Sequence, residues 1–175
     1  MSHEIYTLAG GCFWCLDAAL SQIRGVEDVE CGYCGGTVEH PTYPQVCTGE
    51  TGHAESVQIH FDPTVLNPDL LLDMFFSVHD PTTLNRQGAD VGTQYRSAMF
   101  PQNPAQRARF LQARDRAAER FSAPVVTTIT DGQRFFTAEP EHQDYFQKHP
   151  ENRYCQLVVS AKAAGIRARY ADFLK

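Results

Sequence analysis

An α+β fold, a two-layer sandwich with helices on a mixed or antiparallel sheet, is predicted by three observations. Apolar residues switch along the chain between a period of two and a period near 3.6, the mark of alternating strands and helices. The segments follow one another as β-α-β, β-α-β and α-β-α. The 175 residues, 42% of them hydrophobic, suffice for one full core, and no repeat or low-complexity run marks off a second unit. Residues 1–175 are therefore read as a single domain.

Ile5 to Ala9 forms a short apolar strand that runs into Gly10-Gly11. From Cys12 a helical stripe follows through Phe13, Leu16, Leu20 and Ile23 until Gly25 stops it. Val26 to Tyr33 is the next strand, and Gly35-Gly36, Pro41 and Pro44 mark a long loop, which in a compact domain is usually functional. Ala54 to Phe61 alternates, with Glu55, Val57, Ile59 and Phe61 on one side, as in a strand with one buried face. Asn67-Pro68 opens a helix that ends before His79. Residues 81–96 form a second polar loop. Ser97–Phe100 is a short strand, Pro104–Phe121 a helix, Val125–Ile129 a strand and Glu139–Lys148 a helix. Tyr154-Cys155-Gln156-Leu157-Val158-Val159 reads as a buried strand, and residues 161–174 as a helix.

A formal charge of −6 argues against nucleic acid as a partner, because phosphate binding needs a dense basic patch. Arg107, Arg109, Arg114, Arg116 and Arg120 are interspersed with Asp115 and Glu119 and read as a solvated helix face. No secretory leader and no long apolar run is present, so a cytoplasmic protein without membrane attachment is expected. There, six cysteines point to reduced, catalytic or metal-bound thiols.

Cys12 stands at a strand-to-helix turn, where free N–H groups and the helix dipole favour thiolate and lower the thiol pKa. Cys15 lies one turn on, with an expected Cα separation of about 5 to 6 Å, within disulfide range. Redox chemistry and metal binding are both open to such a pair. Cys12, Cys15, Cys31 and Cys34 complete a spacing commonly read as a zinc site, so a zinc-stabilised module is the alternative. Glu55, on the buried side of its strand, is expected to have a raised pKa and to donate a proton. Tyr43, Asp90 and Tyr95 lie in the loops expected near it. A hydrolase built on Cys12, Asp90 and one of His53, His79 or His142 is a third reading, with nothing to select the histidine.

Gly11-Cys12-Phe13-Trp14 is joined by Gly32-Tyr33-Cys34-Gly35-Gly36 and by Pro41-Thr42-Tyr43-Pro44-Gln45-Val46-Cys47-Thr48-Gly49. Thr51-Gly52-His53-Ala54-Glu55 follows, then the run His79 to Gly88, Asp90, and Gly92-Thr93-Gln94-Tyr95-Arg96-Ser97. In these motifs the chain resembles the class A peptide methionine sulfoxide reductases. The resemblance implies a ferredoxin-like core and a catalytic domain that reduces the S epimer of methionine sulfoxide, free or in oxidised proteins. It makes Cys12 the nucleophile, Phe13 and Trp14 the pocket for the S-methyl group, and Glu55, Tyr43 and Tyr95 the groups around the sulfoxide oxygen, supported by Asp90. No bound cofactor or metal is implied, and the reductant is thioredoxin, or dithiothreitol in vitro. Many relatives have glycine at the place of Cys15 and carry resolving cysteines in a glycine-rich tail that is absent here. Cys15 is preferred as resolver, with Cys155 next despite its expected strand, Cys34 available if the glycine loop folds over the site, and Cys47 structural.

Overall fold

The computed structural model describes residues 3–175. Six strands form one sheet in the order β7-β6-β1-β3-β2-β8. The central strands are β1 (Glu4–Gly10), β2 (Val26–Cys34), β3 (Ala54–Phe61) and β6 (Ser97–Phe100). They pair antiparallel, with Leu8 opposite both Val57 and Met99 and with Tyr33 opposite Glu55. Helices α1 (Phe13–Leu20) and α3 (Pro68–Val78) supply the two crossovers of a β-α-β-β-α-β unit, which is the ferredoxin-like core. Among the described residues the only parallel pairing is β7 (Thr128–Ile129) on β6, so the sheet is mixed.

Helices cover one face. Tyr6, Leu8, Val29, Cys31, Val57, Ile59, Phe61 and Met99 from the sheet pack with Leu16, Leu20, Leu72, Phe75, Phe76 and Phe110 in the main core. The two-layer expectation holds because alternate residues of each strand are apolar on this side. Helix α4 (Pro104–Ala118) packs beside α3, and its arginines are largely paired: Arg107 with Asp131, Arg109 with Asp69 and Arg116 with Asp73.

The 35–53 loop contains a short helix, α2 (Tyr43–Cys47), started by a reciprocal Thr42/Gln45 capping box. The second loop holds a two-residue hairpin of β4 (Arg86–Gln87) and β5 (Asp90–Val91), followed by a 3₁₀ turn at Thr93–Tyr95. The strand expected over 125–129 is reduced to two residues, because the Val126 N–H turns away to Pro81 O. An additional strand, β8 (Phe135–Thr137), extends the β2 edge.

The expected helix over 139–148 is broken. Pro140–His142 is a 3₁₀ turn and α5 is only Tyr145–Lys148, with Asp144 between them at φ 54°. Two side-chain contacts cause the break. The Gln143 amide pairs with both the N–H and the C=O of Cys31, at 2.8 and 2.9 Å, and the buried Asp17 carboxylate accepts from the Asp144 N–H at 3.1 Å. Asp17→Ala removes that acceptor and is expected to cost about 1–3 kcal/mol. Asp17→Asn keeps an acceptor and should stay close to the parent in a denaturant titration at pH 7.

The strand expected at 154–159 is also corrected. Cys155–Val159 is a π-helical turn that runs into α6 (Ser160–Arg169). The buried residues are Cys155, Val159, Ala163 and Ile166, a helical stripe that the local run of apolar and β-branched residues conceals. The Asn152 side chain accepts from the Cys155 N–H at 3.2 Å. The turn packs on α1, which brings the C-terminal segment against the first cysteine pair.

Candidate active site

Cys12 is the N-cap of α1, in extended conformation at φ −62° and ψ 127°. The preceding Gly11 has φ 90°, and a Cβ there would lie 2.7 Å from Gln87 Cγ, so glycine allows both the turn and the approach of the β4-β5 hairpin. The Phe13 N–H, one of the free donors at the helix start, donates to Glu55 Oε1 at 3.1 Å. Glu55 is almost fully buried, and burial raises its pKa to about 8, against the opposing pull of the Phe13 N–H. The expected protonated carboxyl is thus placed beside the first turn of α1.

Tyr43 and Tyr95 both lie near Glu55 and Cys12. Burial pushes both phenols well above their ordinary pKa, and the nearby Glu55 and Cys12 add to the shift. Both are hydroxyl donors at any working pH. The Tyr43 N–H is held by Glu139 Oε2 at 3.0 Å, and Glu139 Oε1 accepts from the Tyr33 hydroxyl at 2.9 Å. Asp90 accepts from the Tyr154 hydroxyl at 2.6 Å and lies close enough to Glu55 to raise its pKa further.

Phe13 and Trp14 form an aromatic box with Tyr43 and His142. Phe13 and Tyr43 stack at 6.2 Å between ring centroids, and Tyr43 and His142 lie at 4.3 Å. The Trp14 indole stacks on Tyr145 at 3.8 Å and donates from Nε1 to His142 Nδ1 at 3.3 Å. His142 Nε2 is buried without a hydrogen-bond partner among the described residues. The sequence offered His142 only as one of several histidines for a hydrolase. It lies instead against the aromatic rings, with its pKa lowered by burial. The motif Glu139-Pro140-Glu141-His142-Gln143 was its signal, since the side chains of Glu139, His142 and Gln143 bond to Tyr33, Trp14 and Cys31 of neighbouring elements.

The cysteines divide into four environments. Cys12, Cys15 and Cys155 share one buried cluster with Val159, and none of the six is in a disulfide. Cys31 and Cys34, three apart on β2, face opposite sides of the sheet. Cys31 Sγ lies 3.7 Å from Phe13 O in the main core, and Cys34 packs among Ala9, Ala54, Ala98 and Phe100. The four-cysteine zinc site is therefore not assembled, and Cys34 is removed from Cys12 by the thickness of the sheet, which ends its candidacy as resolver. The strand argument against Cys155 falls as well. Cys47 is exposed at the end of α2, with its thiol against the Tyr43 hydroxyl.

One electrostatic expectation is reversed. Burial raises the Cys12 thiol well above its usual range, the neighbouring Cys15 and Glu55 add to this, and only the Trp14 N–H opposes them. Cys15 is pulled down by its contact with the Cys12 thiol against its own burial, with Lys162 and the Tyr154 hydroxyl assisting. The helix dipole acts on both sulfurs, but desolvation outweighs it at Cys12. Within the pair, Cys15 is thus the more acidic thiol and Cys12 the less acidic one.

The arrangement offers a buried thiol, a neutral carboxyl and two phenols around one point, beside an aromatic box. A family model described as peptide methionine sulfoxide reductase matches residues 4–173. A peptide methionine sulfoxide reductase MsrA of Chromobacterium violaceum is 52% identical over 170 residues, covering 96% of this chain and 97% of that protein. The reduced form of Saccharomyces cerevisiae Mxr1 superposes with a TM-score of 0.82 at 32% identity, covering 88% of this chain and 90% of the other. The same yeast protein solved in complex with Trx2 gives 0.59 at 23% identity, with 82% and 85% covered.

Proposed function

Since the chain belongs to the peptide methionine sulfoxide reductase family and is an oxidoreductase of that type, we propose that Cys12, Glu55, Tyr43 and Tyr95 carry its reaction on the S epimer of methionine sulfoxide. The observation that supports these roles is the Phe13 N–H on Glu55 Oε1. Accepting that bond with one oxygen leaves the second oxygen of the neutral carboxyl to donate its proton. A sulfoxide sulfur is a poor electrophile until its oxygen is hydrogen-bonded or protonated, and Glu55 with the two phenols supplies those donors. The aromatic box of Phe13 and Trp14 receives the methyl group, and Asp90 supports the donors. Attack by Cys12 leaves methionine and a Cys12 sulfenic acid.

Cys15 then condenses with the sulfenic acid and releases water. Its N–H already donates to Cys12 O at 3.0 Å, so the two residues lie within one helical turn, and its pKa is lowered where burial raises that of Cys155, which makes it the better attacking sulfur of the two. Cys155, in the same cluster, is the second candidate. Thioredoxin reduces the resulting disulfide, a reading supported by the yeast relative solved with Trx2, and dithiothreitol replaces it in vitro. The substrates are free methionine sulfoxide and oxidised proteins. Among the described residues no helix is long and apolar enough to cross a membrane. We place the chain in the cytoplasm as one catalytic domain without bound cofactor, acting on neither nucleic acid nor membrane.

Turnover of separated S and R epimers, with single Cys15→Ser and Cys155→Ser variants and disulfide mapping, tests this reading. Reduction of the S epimer alone is expected, with Cys15→Ser losing at least about 10-fold of thioredoxin-linked turnover. Full turnover in Cys15→Ser together with loss in Cys155→Ser would move the resolving role to Cys155.

A further inference from the structure

Beside the cysteine pair lies a cavity of about 140 Å³ whose lining includes Cys12, Cys15, Tyr154 and Lys162 but not Phe13, Trp14, Glu55, Tyr43 or Tyr95. It is thus a second approach to the sulfurs, apart from the aromatic box. A wider cleft of about 520 Å³ adjoins it, since Val78, Gln87 and Lys162 line both. The wider cleft adds Arg120 and Arg169. We propose that this double cavity binds a small thiol bearing carboxylate groups, which reduces the Cys12–Cys15 disulfide from this side; the proposal rests on the reading of Cys15 as resolver.

The charges around the cleft support an anionic ligand. Lys162 and Arg120 have no hydrogen-bond or ion-pair partner among the described residues, whereas the neighbouring arginines of α4 are paired. Arg169 uses one nitrogen on Ser77 O at 2.7 Å and keeps its other donors. The two carboxylates that face the same space are occupied: Asp80 by the Thr82 N–H and hydroxyl, and Asp90 by the Tyr154 hydroxyl. His79, buried at the back, is held neutral by its burial. Three cations with free donors therefore surround a passage that ends on two sulfurs, in a protein whose net charge is −6.

The chemistry balances with two equivalents of the thiol. One thiolate attacks Cys12 Sγ, the Cys12–Cys15 bond breaks, and the electron pair leaves on Cys15 Sγ, which faces Lys162 and the Tyr154 hydroxyl. A low-pKa thiol leaves fastest, and that is the environment of Cys15. A second thiolate attacks the ligand sulfur of the mixed disulfide, releasing Cys12 and the oxidised ligand disulfide. The protons of the two thiols end on the two cysteines.

The test uses enzyme oxidised by one equivalent of methionine sulfoxide and freed of it, its disulfide mapped, then mixed with mercaptosuccinate, 2-mercaptoethanol or cysteamine at low salt. Rates, corrected for thiolate fraction, are followed by the fluorescence of Trp14, the only tryptophan. Mercaptosuccinate is expected to react about 10-fold faster than cysteamine, although the net charge favours the opposite order. In Lys162→Met/Arg120→Gln this preference should shrink to about 2-fold, each rate being taken relative to that of 2-mercaptoethanol in the same variant, because loss of Lys162 also weakens Cys15 as a leaving group for every thiol. Equal or faster reaction of cysteamine, or a preference that survives in the double variant, overturns the thiol site alone. So does a double variant whose defect is a raised KM for free methionine sulfoxide, because the cations then hold the substrate carboxylate. Mapping that finds no Cys12–Cys15 disulfide overturns the resolver reading and the thiol site together.

Discussion

Cys12→Ser is expected to lose turnover by about four orders of magnitude or more with every reductant, dithiothreitol included. Of the two sulfurs near Glu55, Tyr43 and Tyr95, Cys47 lies on α2 against the Tyr43 hydroxyl, Cys12 stands at the head of α1 beside the aromatic box, and a serine hydroxyl in place of the Cys12 thiol has neither the acidity nor the nucleophilicity to attack a sulfoxide sulfur. The loss would come from chemistry and not from folding. Cys12 is the N-cap of α1 without a side-chain capping bond, and serine is among the preferred caps, so thermal stability should equal or exceed that of the parent. Steady-state turnover beside a melting curve checks both halves. Retention of about 1% of activity would remove Cys12 as the nucleophile.

Glu55→Gln is expected to lower kcat/KM by about 10² to 10³-fold, the usual range for loss of a positioned proton donor. Glutamine keeps an oxygen to accept the Phe13 N–H, so the backbone contact survives and only the acid is lost. The parent should lose activity as pH rises through about 8, where Glu55 ionises, and Glu55→Gln should lack that limb. Stability gives an independent readout. In the folded protein Glu55 keeps its proton up to about pH 8, while in the unfolded chain it ionises near its ordinary 4.5. The folded state therefore binds the extra proton between these values, and stability falls as pH rises across that window. The Gln variant escapes this decline, so its melting temperature should gain on the parent from pH 5 to pH 8. Asp17, raised by burial to about 7, contributes the same sign in both proteins and cancels in the difference. An unchanged rate and pH profile would remove Glu55 as the acid.

What was legible in the chain follows the range of the forces involved. Glu55 was readable because strand parity is local, and its register opposite Tyr33 placed it under α1 as the alternation required. The pairing of Cys12 with Cys15 was readable because three residues span one helical turn. The segment 139–159 was not. Its helix is broken by the Gln143 amide on Cys31 and the Asp144 N–H on Asp17, contacts that reach back more than a hundred residues. The zinc spacing failed for a related reason: Cys31 and Cys34 sit on a strand, where a separation of three puts side chains on opposite faces.

The sequence by itself determined the family, the α+β core, the nucleophile and its acid as candidates, because these rest on local periodicity and on motifs of adjacent residues. Only the tertiary structure decided where the C-terminal segment lies. Packing of α6 and its π-helical turn on α1 buried Cys155 beside Cys12 and Cys15, set His142 and Tyr145 against Trp14, and brought Lys162 to the second cavity. The same burial reversed the expected acidity of Cys12, since the cost of charging a desolvated thiol exceeds what one helix N-terminus returns. Desolvation depends on everything that packs around a group, and no local stretch of sequence contains that sum.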